Sequence, residues 1–117
     1  MTRGERFRIG VDLGGAKIEA AAIGLDGAIA SRQRVVSPRG DYQATVDAVA
    51  DLVTSVEARI NTRGSVGIAI PGAISPATGL VKNANSTWLI GQPFDTDLAA
   101  ALVQLPPLSI AAKKASL

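Results

Sequence analysis

From Phe7 to Leu13 the apolar residues Phe7, Ile9, Val11 and Leu13 alternate with Arg8, Gly10 and Asp12, and Gly14-Gly15 stops the run. Alternation with period two predicts a strand with one buried face. A second apolar run, Ile18 to Ile23, leads into Leu25-Asp26-Gly27, and Asp-Gly between strand-like segments predicts a hairpin whose returning strand is Ile29 to Val36. After Ser37-Pro38-Arg39-Gly40 the period changes. Val46, Val49, Val53, Val56 and Ile60 now share one helical face, with Asp41 placed to cap it. Val66 to Ile70 predicts a short buried strand ended by Pro71-Gly72, and Asp95 to Val103 a second helix. Three strands in a row, then helix, strand and helix, exclude the strict alternation of a doubly wound fold. They predict an α/β architecture with a mixed sheet and helices packed against it. Residues 105–117 contain Pro106-Pro107 and then Ala111-Ala112-Lys113-Lys114, which predicts neither a clear strand nor a long helix. The chain therefore divides into a lobe, residues 1–104, and an atypical tail, residues 105–117, truncated or altered.

The core of such a lobe is aliphatic, because Phe7, Tyr42, Trp88 and Phe94 are the only aromatic residues among 117. The absence of histidine and cysteine narrows the chemistry. It excludes a Ser-His-Asp triad, a Cys-His pair, a histidine- or thiolate-ligated zinc and any disulfide, leaving carboxylates, Lys, Tyr or a bound hard cation. The net charge is +2 and the basic residues are scattered from Arg3 to Lys114, which argues against nucleic acid as a partner. The polar start, Met1 to Arg6, is followed by no apolar run of signal or membrane length, so a cytoplasmic protein is expected.

The stretch richest in chemistry is Gly10-Val11-Asp12-Leu13-Gly14-Gly15-Ala16-Lys17, a strand ending near an aspartate and opening into a double-glycine turn before a lysine. Two readings fit it. Glycines that admit positive φ let backbone N–H groups converge on an anion, with Asp12 beside them to hold hydrated magnesium. Alternatively, the turn simply closes a hairpin, and Asp12 and Lys17 are solvated strand ends. Neither a Walker A loop nor a GxGxxG pattern is present.

The same octapeptide resembles the first phosphate-binding motif of the ROK family of sugar kinases and repressors, with Ala16 where the family usually has Thr. Gly67-Ile68-Ala69-Ile70-Pro71-Gly72-Ala73-Ile74 is similar to its glycine-rich strand and Pro-Gly turn. Gly79 to Trp88 resembles its sugar-recognition loop, in which an asparagine, here Asn85, lies three residues before a tryptophan, here Trp88. The resemblance implies an actin-like, ribonuclease-H-like lobe. It also implies that Asp12, Gly14, Gly15 and Lys17 lie near ATP phosphates and magnesium, Asp12 serving the metal, and that Gly72 and Asn85 contact a hexose substrate. A neutral amide suits sugar hydroxyls because it both donates and accepts; a loop asparagine bonding its own backbone is the plainer alternative. Trp88 is expected to anchor the loop by packing.

Family members continue past the second helix into a strand ending in Asn-Asp-Ala-Asn, whose aspartate is the general base. No Asp or Glu follows Asp97 here. The resemblance therefore implies the N-terminal lobe of an ATP-dependent hexose kinase of fructokinase or glucokinase type, inactive alone and with no catalytic residue of its own. Self-association or a C-terminal domain would complete it. Two other readings are the sugar-sensing lobe of a ROK transcriptional repressor, which would need a helix-turn-helix ahead of Phe7, and a non-catalytic remnant.

Overall fold

The strand alternation read from Phe7 is the geometric origin of the sheet. In a computed structural model, which describes residues 7–62, 64–70, 73–74, 76–82, 87–102 and 108–112, β1 (Phe7–Leu13) buries Ile9, Val11 and Leu13 and turns Arg8 and Asp12 outward. β2 (Lys17–Gly24) pairs antiparallel with β1 and buries Ile18, Ala20 and Ala22 on the same side. β3 (Ile29–Val36) returns antiparallel to β2 after the expected Asp-Gly turn, where Gly27 has φ of 82° and the Asp26 side chain accepts from the Ala28 N–H at 3.0 Å. Among the described residues no strand lies beyond β3, and Arg32 and Arg34 stand exposed on this edge.

Helix α1 (Tyr42–Ile60) covers the buried face. Asp41 caps it as expected, its Oδ1 accepting from the Ala44 N–H at 2.9 Å. Val46, Val49, Val53 and Val56 are buried against the sheet, and Ile60 is partly buried. Each of the four valines contributes roughly 1.5–3 kcal/mol of apolar burial. Asn61 ends the helix in the left-handed region, with φ of 56°.

β4 (Ser65–Ile70) then lies parallel to β1, as a crossover through a helix permits. The chain makes a small antiparallel pair, β5 (Ala73–Ile74) with β6 (Val81–Lys82), a 3-10 turn at Thr87–Leu89, and α2 (Phe94–Leu102). Asp95 and Asp97 sit in the first turn of α2, where carboxylates favour the helix dipole. Phe94, Leu98 and Leu102 join the core built by α1 and the sheet.

The tail departs from expectation. Leu108–Ala112 forms β7, parallel to β4, so the main sheet has the order β3-β2-β1-β4-β7. Its run Leu-Ser-Ile-Ala-Ala is weakly patterned, and the open edge of β4 supplies the ladder that local sequence does not announce. The mixed α/β sheet with its helices is the actin-like lobe that the resemblance implied.

Candidate functional site

Register decides which side chains can meet. Asp12 lies opposite Glu19 across the β1–β2 pair, and Lys17 is two residues before Glu19 on β2, so all three share one face. That face is opposite α1. Asp12 and Lys17 are exposed there, near the end of β1 where the chain turns. Ala69 of β4 pairs with Asp12 on its other side and adds almost no bulk beside it. Glu19 also faces this region and is engaged by Arg32, Nε to Oε1 at 3.6 Å. Glu19 is a residue that the motif does not single out; the hairpin register brings it next to Asp12.

The two glycines play different parts. The Gly14 N–H donates to the Lys17 carbonyl at 3.0 Å, closing the hairpin, and a Cβ at Gly14 would come within 2.8 Å of that same oxygen. A Cβ at Gly15 would meet nothing within 4 Å. Neither glycine has positive φ. Of the two readings of the turn, the donor cradle is left with the Gly15 amide, since the Gly14 N–H is committed to the hairpin; Gly14 is required by close approach, and Gly15 is the open tip. The turn is held from the far side by Ser37, whose Oγ donates to the Gly14 carbonyl at 2.7 Å and whose N–H donates to the Ala16 carbonyl at 2.9 Å.

Gly72 and Asn85 lie outside the described residues. The segment that contains Asn85 is nevertheless bounded by described structure. Val81 N–H donates to the Gln92 carbonyl at 3.0 Å and Gly91 N–H to the Val81 carbonyl at 2.8 Å, so the loop is tied at its base. Leu89, in the described Thr87–Leu89 turn, is fully buried. Trp88 packs against the core and its indole N–H donates to Thr45 Oγ1 at 2.9 Å, so it anchors the loop as expected. Tyr42 ties α1 to α2, its hydroxyl donating to Asp97 Oδ2 at 2.6 Å and its ring meeting Phe94 edge-on at 6.5 Å. Burial, the bond to the Asp97 carboxylate and the charges of Asp97 and Asp95 push the Tyr42 phenol above its ordinary range.

Ser37 and Thr45 are functional candidates that sequence reading passed over. A threonine on the apolar stripe of α1, one position before Val46, was the available signal, since a buried hydroxyl needs a partner. A groove of about 550 Å³ between β3 and α1, lined by Val35, Val36, Ala48 and Leu52 with Asp47 and Asp51 at its side, involves none of the predicted site residues. Among the described residues no group of three or more acidic side chains is arranged to hold a metal, and no helix is long and apolar enough to cross a membrane.

Residues 8–107 match the family model described as "ROK family". An N-acetyl-D-glucosamine kinase of Escherichia coli O139:H28 is 39% identical over 93 residues, which is 80% of this chain and 31% of that protein. The chain thus spans about a third of the length of this curated relative. A ROK family glucokinase from Streptomyces griseus, solved in complex with glucose and AMPPNP, superposes with TM-score 0.73 at 24% identity, over 92% of this chain and 32% of the glucokinase. A ROK family transcriptional regulator, a homologue of the E. coli MLC protein, superposes with TM-score 0.72 at 14% identity, over 91% of this chain and 27% of the regulator. At these identities the two structures establish a shared fold.

Proposed function

Given that the chain belongs to the ROK family, we propose that it is the N-terminal lobe of an ATP-dependent sugar kinase, which transfers the γ-phosphoryl group of ATP to a hexose or N-acetylhexosamine hydroxyl in the cytoplasm. The observation that carries this reading is the shared exposed face of Asp12 and Lys17 beside the unobstructed tip at Gly15. These residues fit a magnesium nucleotide in part. Lys17 offers an ammonium to phosphate oxygens, and the Asp12 carboxylate accepts from the water shell of a hard cation. The Gly15 tip lets a phosphate approach the backbone, while the Gly14 amide stays with the hairpin. Bound magnesium would neutralise charge on the phosphates.

Acceptor recognition falls to Gly72 and Asn85 in this reading. The identity of 39% to an N-acetyl-D-glucosamine kinase adds that amino sugar to glucose and fructose as acceptors to test. Residues 1–104 would constitute the kinase lobe and residues 105–117, β7 included, a segment departing from the family pattern. Because no carboxylate after Asp97 can deprotonate the acceptor, this chain alone should transfer nothing, and it should self-associate or join a C-terminal domain.

The test is equilibrium titration of the chain with AMPPNP, with and without magnesium, beside a coupled assay on N-acetyl-D-glucosamine, glucose and fructose. Weak, magnesium-dependent binding that Asp12→Ala abolishes, with no turnover, is expected. Binding indifferent to both magnesium and Asp12→Ala would overturn the site, and turnover would overturn the inactivity.

A further inference from the structure

Among the described residues the buried polar side chains are Ser37, 3% exposed, and Thr45, 0% exposed. A hydroxyl withdrawn from water is retained only where it is bonded. Each of these two is bonded across the fold, and to a different part of the candidate site. Ser37 holds the glycine turn from both sides of its tip, through the Gly14 and Ala16 carbonyls. Thr45 Oγ1 donates to the Asp41 carbonyl at 2.8 Å and accepts from the Trp88 indole, three residues beyond Asn85. The short segment between them is itself stiffened. Pro38 accepts from the Asp41 N–H at 3.2 Å, and the Asp41 cap fixes the first turn of α1.

We propose that Ser37–Thr45 is a positioning clamp that sets the spacing between the Gly14–Lys17 turn and the Thr87–Leu89 turn that carries Trp88. Ser37 and Thr45 are its two grips, and both act through the segments they hold. What the turn and loop bind rests on the kinase reading above; the gripping itself does not. The clamp explains why the first turn of α1 buries a hydroxyl, whose desolvation its two bonds offset.

The test uses the full chain and the variants Thr45→Val, Thr45→Ser and Ser37→Ala, with Val56→Ala as a buried change on the same helix remote from both grips. Amide hydrogen exchange at residues 14–17 and 83–88, emission of Trp88, the chain's only tryptophan, and titrations with N-acetyl-D-glucosamine and magnesium AMPPNP are measured. Thr45→Val should speed exchange at 83–88 by about tenfold, shift Trp88 emission and weaken sugar binding by a similar factor, since the indole donor loses its partner. Residues 14–17 should be unaffected, and Thr45→Ser should restore the wild-type behaviour. Ser37→Ala should show the reverse selectivity, with faster exchange at 14–17 and weaker nucleotide binding. Val56→Ala should lower the melting temperature without either local effect. Exchange at 83–88 unchanged in Thr45→Val, or changes that merely follow global stability as in Val56→Ala, would overturn the clamp. Selective exchange with unaltered ligand affinities would overturn its role in binding. If the wild-type chain binds neither ligand, the kinase reading fails, and the exchange data still decide the clamp.

Discussion

The Gly14–Lys17 turn and the Val81–Gln92 loop are the two segments on which the site reading rests, and they are held by opposite means. The turn is fixed mainly by backbone: one hairpin hydrogen bond, a contact too close for a Cβ, and two Ser37 bonds to its carbonyls. Among the described residues the loop is tied by backbone at its C-terminal side and base, and by side chains through Leu89 as a buried plug and Trp88 bonded to Thr45. Backbone closure defines a position tightly and tolerates changes at the tip. Side-chain anchoring leaves the loop sensitive to single substitutions, some of them distant in sequence.

The largest effect expected from this contrast is at the plug. Leu89→Ala should cost about 2–5 kcal/mol, because a fully buried leucine leaves a cavity; denaturant unfolding with a loss below about 1 kcal/mol would mean that the loop does not depend on its side chains. A smaller and more discriminating effect is expected at the turn. Gly14→Ala should cost roughly 1–3 kcal/mol, since its methyl meets a carbonyl oxygen that cannot rotate away, whereas Gly15→Ala should stay within about 0.5 kcal/mol. Equal costs at the two positions would remove the distinction drawn between them.

The smallest effect is a pH dependence arising at the side-chain contact between α1 and α2, just beyond the loop. Because the folded state raises the Tyr42 phenol, the unfolded chain releases that proton first, so folding loses stability as pH increases. This contribution is fully present below the ordinary tyrosine value of about 10 and declines as pH rises through the higher folded value. Tyr42→Phe should cost about 1 kcal/mol at neutral pH and flatten the alkaline decline. An unchanged alkaline slope in the variant would show that Tyr42 does not cause it.

Local sequence carried much of this architecture. The β1 and β2 alternation, the Asp26-Gly27 turn, the Asp41 cap and the valine stripe of α1 are each decided by residues within a few positions of one another. β7 was illegible because its pairing partner, β4, lies about forty residues upstream, and a five-residue run with two alanines has little pattern of its own. In the candidate site, Asp12 and Lys17 stand out in their motif, and the hairpin register places them on one exposed face. A double glycine suggests left-handed backbone, whereas Gly14 is required here by a missing Cβ. Ser37 and Thr45 were missed because their partners, Gly14 and Trp88, are 23 and 43 residues away.

The open edge of β3 bears on how copies of this chain can meet. An exposed strand is a template for another strand, and two copies could join antiparallel through it to extend the sheet. Pairing centred on Gln33 would place Arg32 of one copy against Arg34 of the other, twice over, with Glu19, which is Arg34's cross-strand partner and Arg32's ion-pair partner, shared between the two arginines. The arginines thus disfavour this antiparallel register, in the way that edge charges discourage strand-to-strand growth.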